Sequence, residues 1–346
     1  MRVGIVGFSL CGKSTLFQAL TGVAPDPAAA LKGQIGIAKV ADPRLDFLSG
    51  MFKPKKETPA TVEFVDTPGL LRNEKGDNPQ RLATLRTADG LMIVLDHFSS
   101  DEDPVKQLQA FREELLFADL ELVSNRVAKL EAGSKKPKPA PIREAEEKEL
   151  AEFRALADKL ENGESIDGVP ISEETQKTLK SFQLFSKKPE LVVLNRTEDK
   201  VNAPVPAELA TMATNVVVAA AKLELDLAQL DASDREMFME ELGVRELARD
   251  RIIRAAYDAV GLVSFFTVGE DECKAWTIPK DATAVEAAGK IHSDIARGFI
   301  RAELVAYKDL HDLGSMKEVK AKGLQRLEGK EYRVADGDII NFRFSV

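Results

Sequence analysis

The hydrophobic positions of this chain follow two rhythms. Short apolar runs at Val3–Val6, Leu91–Leu95 and Leu191–Leu194, joined by Thr61–Asp66 and Asn215–Val218, have the length and flanking turns of strands in a buried, mainly parallel sheet. Between Pro104 and Lys188 the period changes. Leu116, Leu120, Val123, Val127 and Leu130 are spaced 4, 3, 4 and 3, and after a break at Gly133–Pro141 the positions Leu150, Phe153, Ala157 and Leu160 resume at 3, 4 and 3. That pattern predicts one helix out and one back, a coiled-coil-like α-helical hairpin. At 1.5 Å per residue its first helix would extend roughly 40 Å. Near the C-terminus, Gly261–Thr267 and Cys273–Ile278 read as paired strands, Ala284–Ser293 as a helix, and Asp336-Gly337-Asp338 as a turn into a final strand, Ile339–Phe344. Strand, strand, helix and late strands fit a β-grasp. The predicted division is 1–103 and 189–260 for an interrupted α/β domain, 104–188 for the hairpin and 261–346 for the β-grasp domain.

The first apolar run ends in Gly7-Phe8-Ser9-Leu10-Cys11-Gly12-Lys13-Ser14-Thr15, which is G-x-x-x-x-G-K-S between a strand and an amphipathic helix. Such a loop turns several backbone N–H groups and the positive end of a helix dipole onto one spot, where phosphate binds. Leu10, Cys11, Gly12, Lys13, Ser14 and Thr15 are the expected cradle, with Lys13 on the β- and γ-oxygens and Ser14 on Mg2+. The strand Thr61–Asp66 ends in Asp66-Thr67-Pro68-Gly69. A carboxylate there can hold the metal, and the Gly69 amide can sense a γ-phosphate, so Lys13, Asp66 and Gly69 are the catalytic candidates and Ser14 and Asp66 the metal ligands. Leu70 follows, where a water-orienting glutamine would stand, and leucine cannot hydrogen-bond water. No threonine occurs between Leu31 and Lys56 to serve as a switch ligand.

Asn195-Arg196-Thr197-Glu198 occupies the place of a guanine-reading N-K-x-D motif, with Glu198 one methylene longer than aspartate and Arg196 where a lysine would lie along the base. Guanine recognition should suffer. Ala220 and Ala221 match the small-residue loop that closes over a base. His97, at a strand end, reads more simply as structural than catalytic, and the loop Asp101–Pro104 as a solvated helix start. Lys135, Lys136 and Lys138 at the hairpin tip, Trp276, and the Arg297, Arg301 and Lys308 cluster each admit an RNA-contacting reading beside a plain solvated or core one.

The chain has 346 residues, enough for two or three domains. Its formal charge of −9 argues against coating nucleic acid by charge alone and offers no basis for DNA sequence specificity. Cys11 and Cys273 have neither disulfide-framework nor zinc-site spacing. An oxidant-sensitive Cys11 in the phosphate loop is a weaker possibility. The chain begins almost on its first strand and has no run approaching the ~20 apolar residues of a membrane helix, so a cytoplasmic protein without membrane attachment is expected.

These motifs together resemble the Obg-like ATPase family, the YchF branch of the translation-factor P-loop proteins. The resemblance spans nearly the whole chain and includes Gly12–Phe17, Asp42–Asp46, Glu63–Asp66, Asn195–Glu198, Arg254–Tyr257, Phe265–Gly269, Ala275–Ile278 and Gly298–Glu303. It implies a P-loop NTPase domain interrupted by the hairpin, a C-terminal TGS domain of β-grasp type, and slow hydrolysis of ATP, with GTP as the alternative ligand. It further implies association of a monomer with ribosome or RNA through the hairpin and TGS domain. The chain departs from the family in four places: Ser9-Leu10-Cys11 replaces the P-N-V of the phosphate loop, the family's switch threonine has no clear counterpart, Pro68 replaces the alanine of D-x-A-G, and Arg196 is unusual within N-x-x-E.

Overall fold

The computed structural model describes residues 1–30, 32–71, 78–99, 102–244 and 246–345. Leu31 and Asp101, named above, lie outside them. By contact the chain forms two compact units, residues 1–36 with 64–248 and residues 37–63 with 249–346.

The first unit is built on a six-stranded sheet, two strands of which lie partly within residues 37–63. Its strands are β1 (Arg2–Val6), β2 (Gln34–Lys39), β4 (Thr61–Asp66), β5 (Gly90–His97), β6 (Glu190–Arg196) and β7 (Val216–Ala219), in the order β2-β4-β1-β5-β6-β7. The pairs β1–β5, β5–β6 and β6–β7 are parallel. Every residue of Leu91–Leu95 and Leu191–Leu194 is buried, as expected of strands covered on both faces. The register sets Asp96 beside Asn195 and Asn195 beside Ala219, so the motif-bearing strand ends finish level with one another. Ligands of open parallel sheets bind at these carboxyl ends.

The helices of this unit are α1 (Lys13–Thr21), α2 (Pro27–Ala30), α4 (Asn78–Leu85), α5 (Pro104–Ser134), α6 (Ala140–Glu161), α7 (Glu173–Phe182), α8 (Ala207–Met212), α9 (Ala221–Gln229) and α10 (Ala232–Glu241). Asp103 caps α5 by accepting from the Val105 N–H, and Pro104 occupies its first turn. The root of α5 packs Leu108, Phe111 and Leu115 into the cluster that holds Phe8, Leu95 and Leu194. Farther out, Val123 and Leu130 of α5 meet Phe153, Leu156 and Leu160 of α6 and Leu179 of α7. The spacing of Leu150, Phe153, Ala157 and Leu160 therefore marks the face that packs; α7 carries no comparable signal because only Thr175 and Leu179 of it are buried.

The second unit carries a mixed sheet in the order β11-β10-β12-β8-β9-β3, formed by β3 (Lys56–Thr58), β8 (Leu262–Thr267), β9 (Glu272–Pro279), β10 (Phe299–Ala306), β11 (Arg326–Glu328) and β12 (Asp338–Phe344). β8 and β9 pair antiparallel with Phe265 opposite Trp276, β12 runs parallel to β8, and α12 (Ala284–Ile291) lies over Phe265, Leu304 and Ile340. Two boundaries differ from the sequence division. Residues 37–63 join this unit because β3 extends the sheet along β9, and because Arg44 of α3 (Pro43–Phe52) donates to both Asp42 and Asp336 beneath the Phe266 ring. Helix α11 (Ala248–Ala259) also joins from Arg249 onward, with the Tyr257 hydroxyl bonded to the Val263 carbonyl and Ser264.

Trp276 stacks on Phe265 at 6.3 Å and donates from Nε1 to Thr267 at 2.9 Å, which places it with the core. Arg297 and Lys308 are paired with Asp294 and Asp312 of their own helices. Among the described residues no helix is long and apolar enough to cross a membrane, and no group of three or more His, Cys, Asp or Glu is arranged to hold a metal ion.

Candidate nucleotide site

The phosphate loop leaves β1 and re-enters helix at Lys13. Gly12 makes this turn with φ of 92°, a left-handed conformation, and a Cβ there would lie 2.2 Å from the Asn195 Nδ2, so the position admits glycine on both counts. Leu10 is also left-handed, at φ 67°, and its side chain projects outward. Lys13 is buried, with Nζ donating to the Phe8 carbonyl at 2.6 Å and lying 3.5 Å from Cys11 Sγ. Burial pushes the Cys11 thiol up, against the pull of the Lys13 charge, so this cysteine is a poor nucleophile. Ser14 is exposed and Thr15 half-buried at the mouth.

Asp66 ends β4, next to β1 in the sheet, and is fully buried. Neither of its carboxylate oxygens has a hydrogen-bond partner among the described residues. Burial pushes its carboxyl up, and the nearby Ser14 hydroxyl and Lys13 ammonium pull it back toward the charged form without closing a bond of ordinary geometry. A buried, unsatisfied carboxylate beside a serine hydroxyl and a lysine is costly unless a cation completes it. The donor set is all oxygen, which suits Mg2+, so the two predicted ligands fit the ion.

The Thr67 hydroxyl donates to the Ile5 carbonyl at 3.1 Å and fixes the turn after Asp66. Gly69 then passes so close to the phosphate loop that a Cβ would lie 2.7 Å from both Lys13 Nζ and Ser9 Cα. Its carbonyl accepts from Arg81 of α4. The next residue pairs with the loop itself, Leu70 N–H to the Gly7 carbonyl and Ser9 N–H to the Leu70 carbonyl, each at 3.1 Å. The Leu70 side chain is 2% exposed and sits in the core with Val6, Phe8 and Phe111, turned away from the cleft.

On the base side, Asn195 ties three elements together. Its Nδ2 donates to the Cys11 carbonyl and its Oδ1 accepts from the Ala221 N–H, both at 3.0 Å. Arg196 lines the cavity on this side, with its guanidinium committed to protein acceptors. Its guanidinium is engaged with His97 Nδ1 at 3.2 Å and with the carbonyls of Lys200, Ala203 and Pro204, so it anchors the loop behind Glu198 instead of lying along a base. Glu198 is exposed and lines a cavity of about 670 Å3 with Gly12, Phe98, Asn195 and Ala220. A second cavity of about 700 Å3 is lined by Lys13, Ser14, Asp26, Asp66 and Gly69. Gly12, Thr15 and Phe98 border both, so the two cavities adjoin.

Phe98 and Asp26 escape sequence reasoning. Phe98 follows β5 where a strand end next to the site can be anticipated, but nothing in Asp96-His97-Phe98 distinguishes a ring over a cleft from an ordinary surface phenylalanine. Asp26 sits between two prolines in a segment with no periodicity.

Comparisons with known proteins show the family of the chain. Residues 2–126 match the family model of the 50S ribosome-binding GTPases, and residues 262–345 match the model YchF-GTPase_C, described as a protein of unknown function. Over its whole length the chain is 38% identical to the ribosome-binding ATPase YchF of Bacillus subtilis (strain 168), covering 100% of each. The chain belongs to the YchF family. The ribosome-binding ATPase YchF of Escherichia coli O157:H7 is 35% identical over 100% of this chain and 99% of its own. Among solved structures, the YchF GTPase of Schizosaccharomyces pombe superposes with a TM-score of 0.83 at 26% identity, covering 99% of this chain and 97% of its own. Asn195–Glu198 falls between the two stretches matched by family models, so the base-side reading rests on its own geometry.

Proposed function

We propose that this YchF-family chain is a Mg2+-dependent P-loop ATPase of low intrinsic turnover, cytoplasmic and monomeric. In this reading it binds ribosomes or RNA through the α5–α6 coiled-coil hairpin and a C-terminal TGS-type β-grasp domain. The observation that carries the reading is the Asn195 amide, which joins the phosphate loop at Cys11 to the base-side loop at Ala221 and makes one cleft of the two cavities. In that cleft Lys13 and the loop amides would bind phosphates, and Ser14 and Asp66 would hold Mg2+, which when bound neutralises charge on the phosphoryl oxygens. The Gly69 amide, close against Lys13, would register a γ-phosphate. Glu198 at the base-side cavity favours adenine, with its exocyclic amine as donor, over the N1/N2 edge of guanine that a shorter aspartate would meet.

The relatives named ribosome-binding ATPases support both the partner and the nucleotide. Titration of the purified chain with fluorescent ATP and GTP tests the ligand; equal or tighter GTP binding defeats the adenine assignment. A second reading, a scaffold for ribosome, RNA or protein that holds nucleotide without useful turnover, is favoured by the burial of Leu70, which leaves no polar side chain at the position after Gly69. Phosphate release with and without ribosomes separates the two. Turnover above background that vanishes in Lys13→Ala rejects the scaffold.

A further inference from the structure

Regulatory P-loop hydrolases draw one metal ligand from the segment between the first helix and the second strand, and this chain has no threonine from Gly22 to Lys56 to supply it. The phosphate-side cavity nevertheless has an acidic residue from that segment on its wall: Asp26 lines it together with Lys13, Ser14, Asp66 and Gly69.

Three features hold Asp26 in place. Pro25 and Pro27 flank it, which limits its backbone and that of Ala24 to extended conformations. Gln34, the first residue of β2, clamps the turn from outside, with Nε2 donating to the Ala24 carbonyl and Oε1 accepting the Asp26 N–H, both at 2.8 Å. The Asp26 side chain is exposed, and its Oδ1 accepts from the Ala28 N–H at 2.9 Å. A carboxylate fixed on the wall of a phosphate-binding cavity repels the ligand unless a cation lies between them. With Asp66 and Ser14 it completes an oxygen-only donor set of the kind Mg2+ uses, directly or through water.

We infer that Asp26 is the switch-segment ligand of the divalent cation, substituting for the absent threonine, and that Gln34 is the positioning residue that presents it. The inference rests on the nucleotide reading above. Capping of α2 alone would explain the Oδ1 bond but gives no role to a negative charge on the wall shared with Ser14 and Asp66, and the two roles separate in Asp26→Asn, which keeps an acceptor for Ala28 and loses the charge.

The test uses the full chain with a non-hydrolysable ATP analogue and follows Mn2+ by electron paramagnetic resonance, with analogue affinity measured separately in EDTA. Asp26→Asn is expected to weaken Mn2+ in the ternary complex by at least about tenfold, while metal-free analogue affinity is unchanged or tighter. Gln34→Ala is expected to weaken Mn2+ by less. Mn2+ affinity equal to that of the unmodified chain in Asp26→Asn overturns the inference and leaves the nucleotide reading intact. Failure of the unmodified chain to bind the analogue at all overturns both.

Discussion

Asn195 accepts the backbone N–H of Ala221 at 3.0 Å with the same amide that donates to the Cys11 carbonyl. The two loops that would hold opposite ends of a nucleotide are thus braced through one buried side chain. Asn195→Ala leaves both backbone groups buried and unpaired, a loss of about 1–3 kcal/mol for each. Nucleotide affinity should fall roughly ten- to a hundredfold, with a lower melting temperature for the free protein. Calorimetric titration with ATP measures the first; an affinity within error of the unmodified chain would show that the brace is irrelevant to binding.

Gly69 provides a second test, because its contacts are with the backbone of Ser9 as well as with Lys13 Nζ. A lysine tip can move aside, but the Ser9 Cα cannot without shifting the phosphate loop. Gly69→Ala should destabilise the protein by about 1–3 kcal/mol, as overpacking does. It should also abolish the difference in affinity between ATP analogue and ADP, since the segment after Asp66 can no longer approach the γ-phosphate site. Retention of that difference would mean that Gly69 does not sense the phosphate.

Unlike β2, β10 and β11, the remaining long strands and the α5–α6 pair were legible from the apolar pattern, because a two-sided parallel sheet buries every residue of Leu91–Leu95 and a long packed helix buries every third or fourth one. β3 was not, since Lys56-Glu57-Thr58 is a short charged edge segment whose pairing with β9 depends on residues more than two hundred positions away. That Lys13, Ser14, Asp66 and Gly69 share one cavity could be anticipated because their two motifs have a fixed local spacing. Arg196 lines the same cavity as Glu198, but the motif fixes only where its Cα stands, and four acceptors on His97 and the loop after Glu198 decide where the guanidinium goes. Asp26 and Phe98 reach the cleft only through tertiary structure.

The end of α4, the helix after Gly69, is tied to the hairpin. Arg86 donates to Asp119 of α5 at 2.8 Å and to the Ala118 carbonyl at 2.8 Å, with its guanidinium 4.3 Å from the centre of the Phe185 ring. Asp119 is fully buried and also accepts from the Phe185 and Ser186 N–H groups at 3.0 and 2.8 Å. Asp119→Ala strands a partly buried arginine and two amides, and should cost about 3 kcal/mol in urea unfolding. Arg86→Met combined with Asp119→Leu should cost less than the sum of the single changes, because neither partner is then left charged and alone. Strict additivity would contradict a coupled pair.

His97 links the base-side loop to pH. Its Nδ1 accepts from Arg196 Nε at 3.2 Å, which requires the neutral imidazole protonated on Nε2. Burial, followed by the charges of Arg196 and Lys200, holds its pKa below the ordinary value of 6.5. The unfolded chain therefore binds more protons than the folded one across that interval, so stability rises with pH there. The contribution is complete above about pH 6.5 and is lost as pH falls through the ordinary value toward the lowered one. Protonation places a second cation beside Arg196 and weakens its hold on the carbonyls of Lys200, Ala203 and Pro204, the loop that follows Glu198. ATP affinity should decline with stability over the same range. His97→Gln keeps an acceptor for Arg196 and has no proton to gain, so both dependences should flatten in that variant. Unfolding midpoints and ATP titrations at pH 7.5 and 5.5 for the two proteins decide the matter; equal slopes would assign the pH response to other groups.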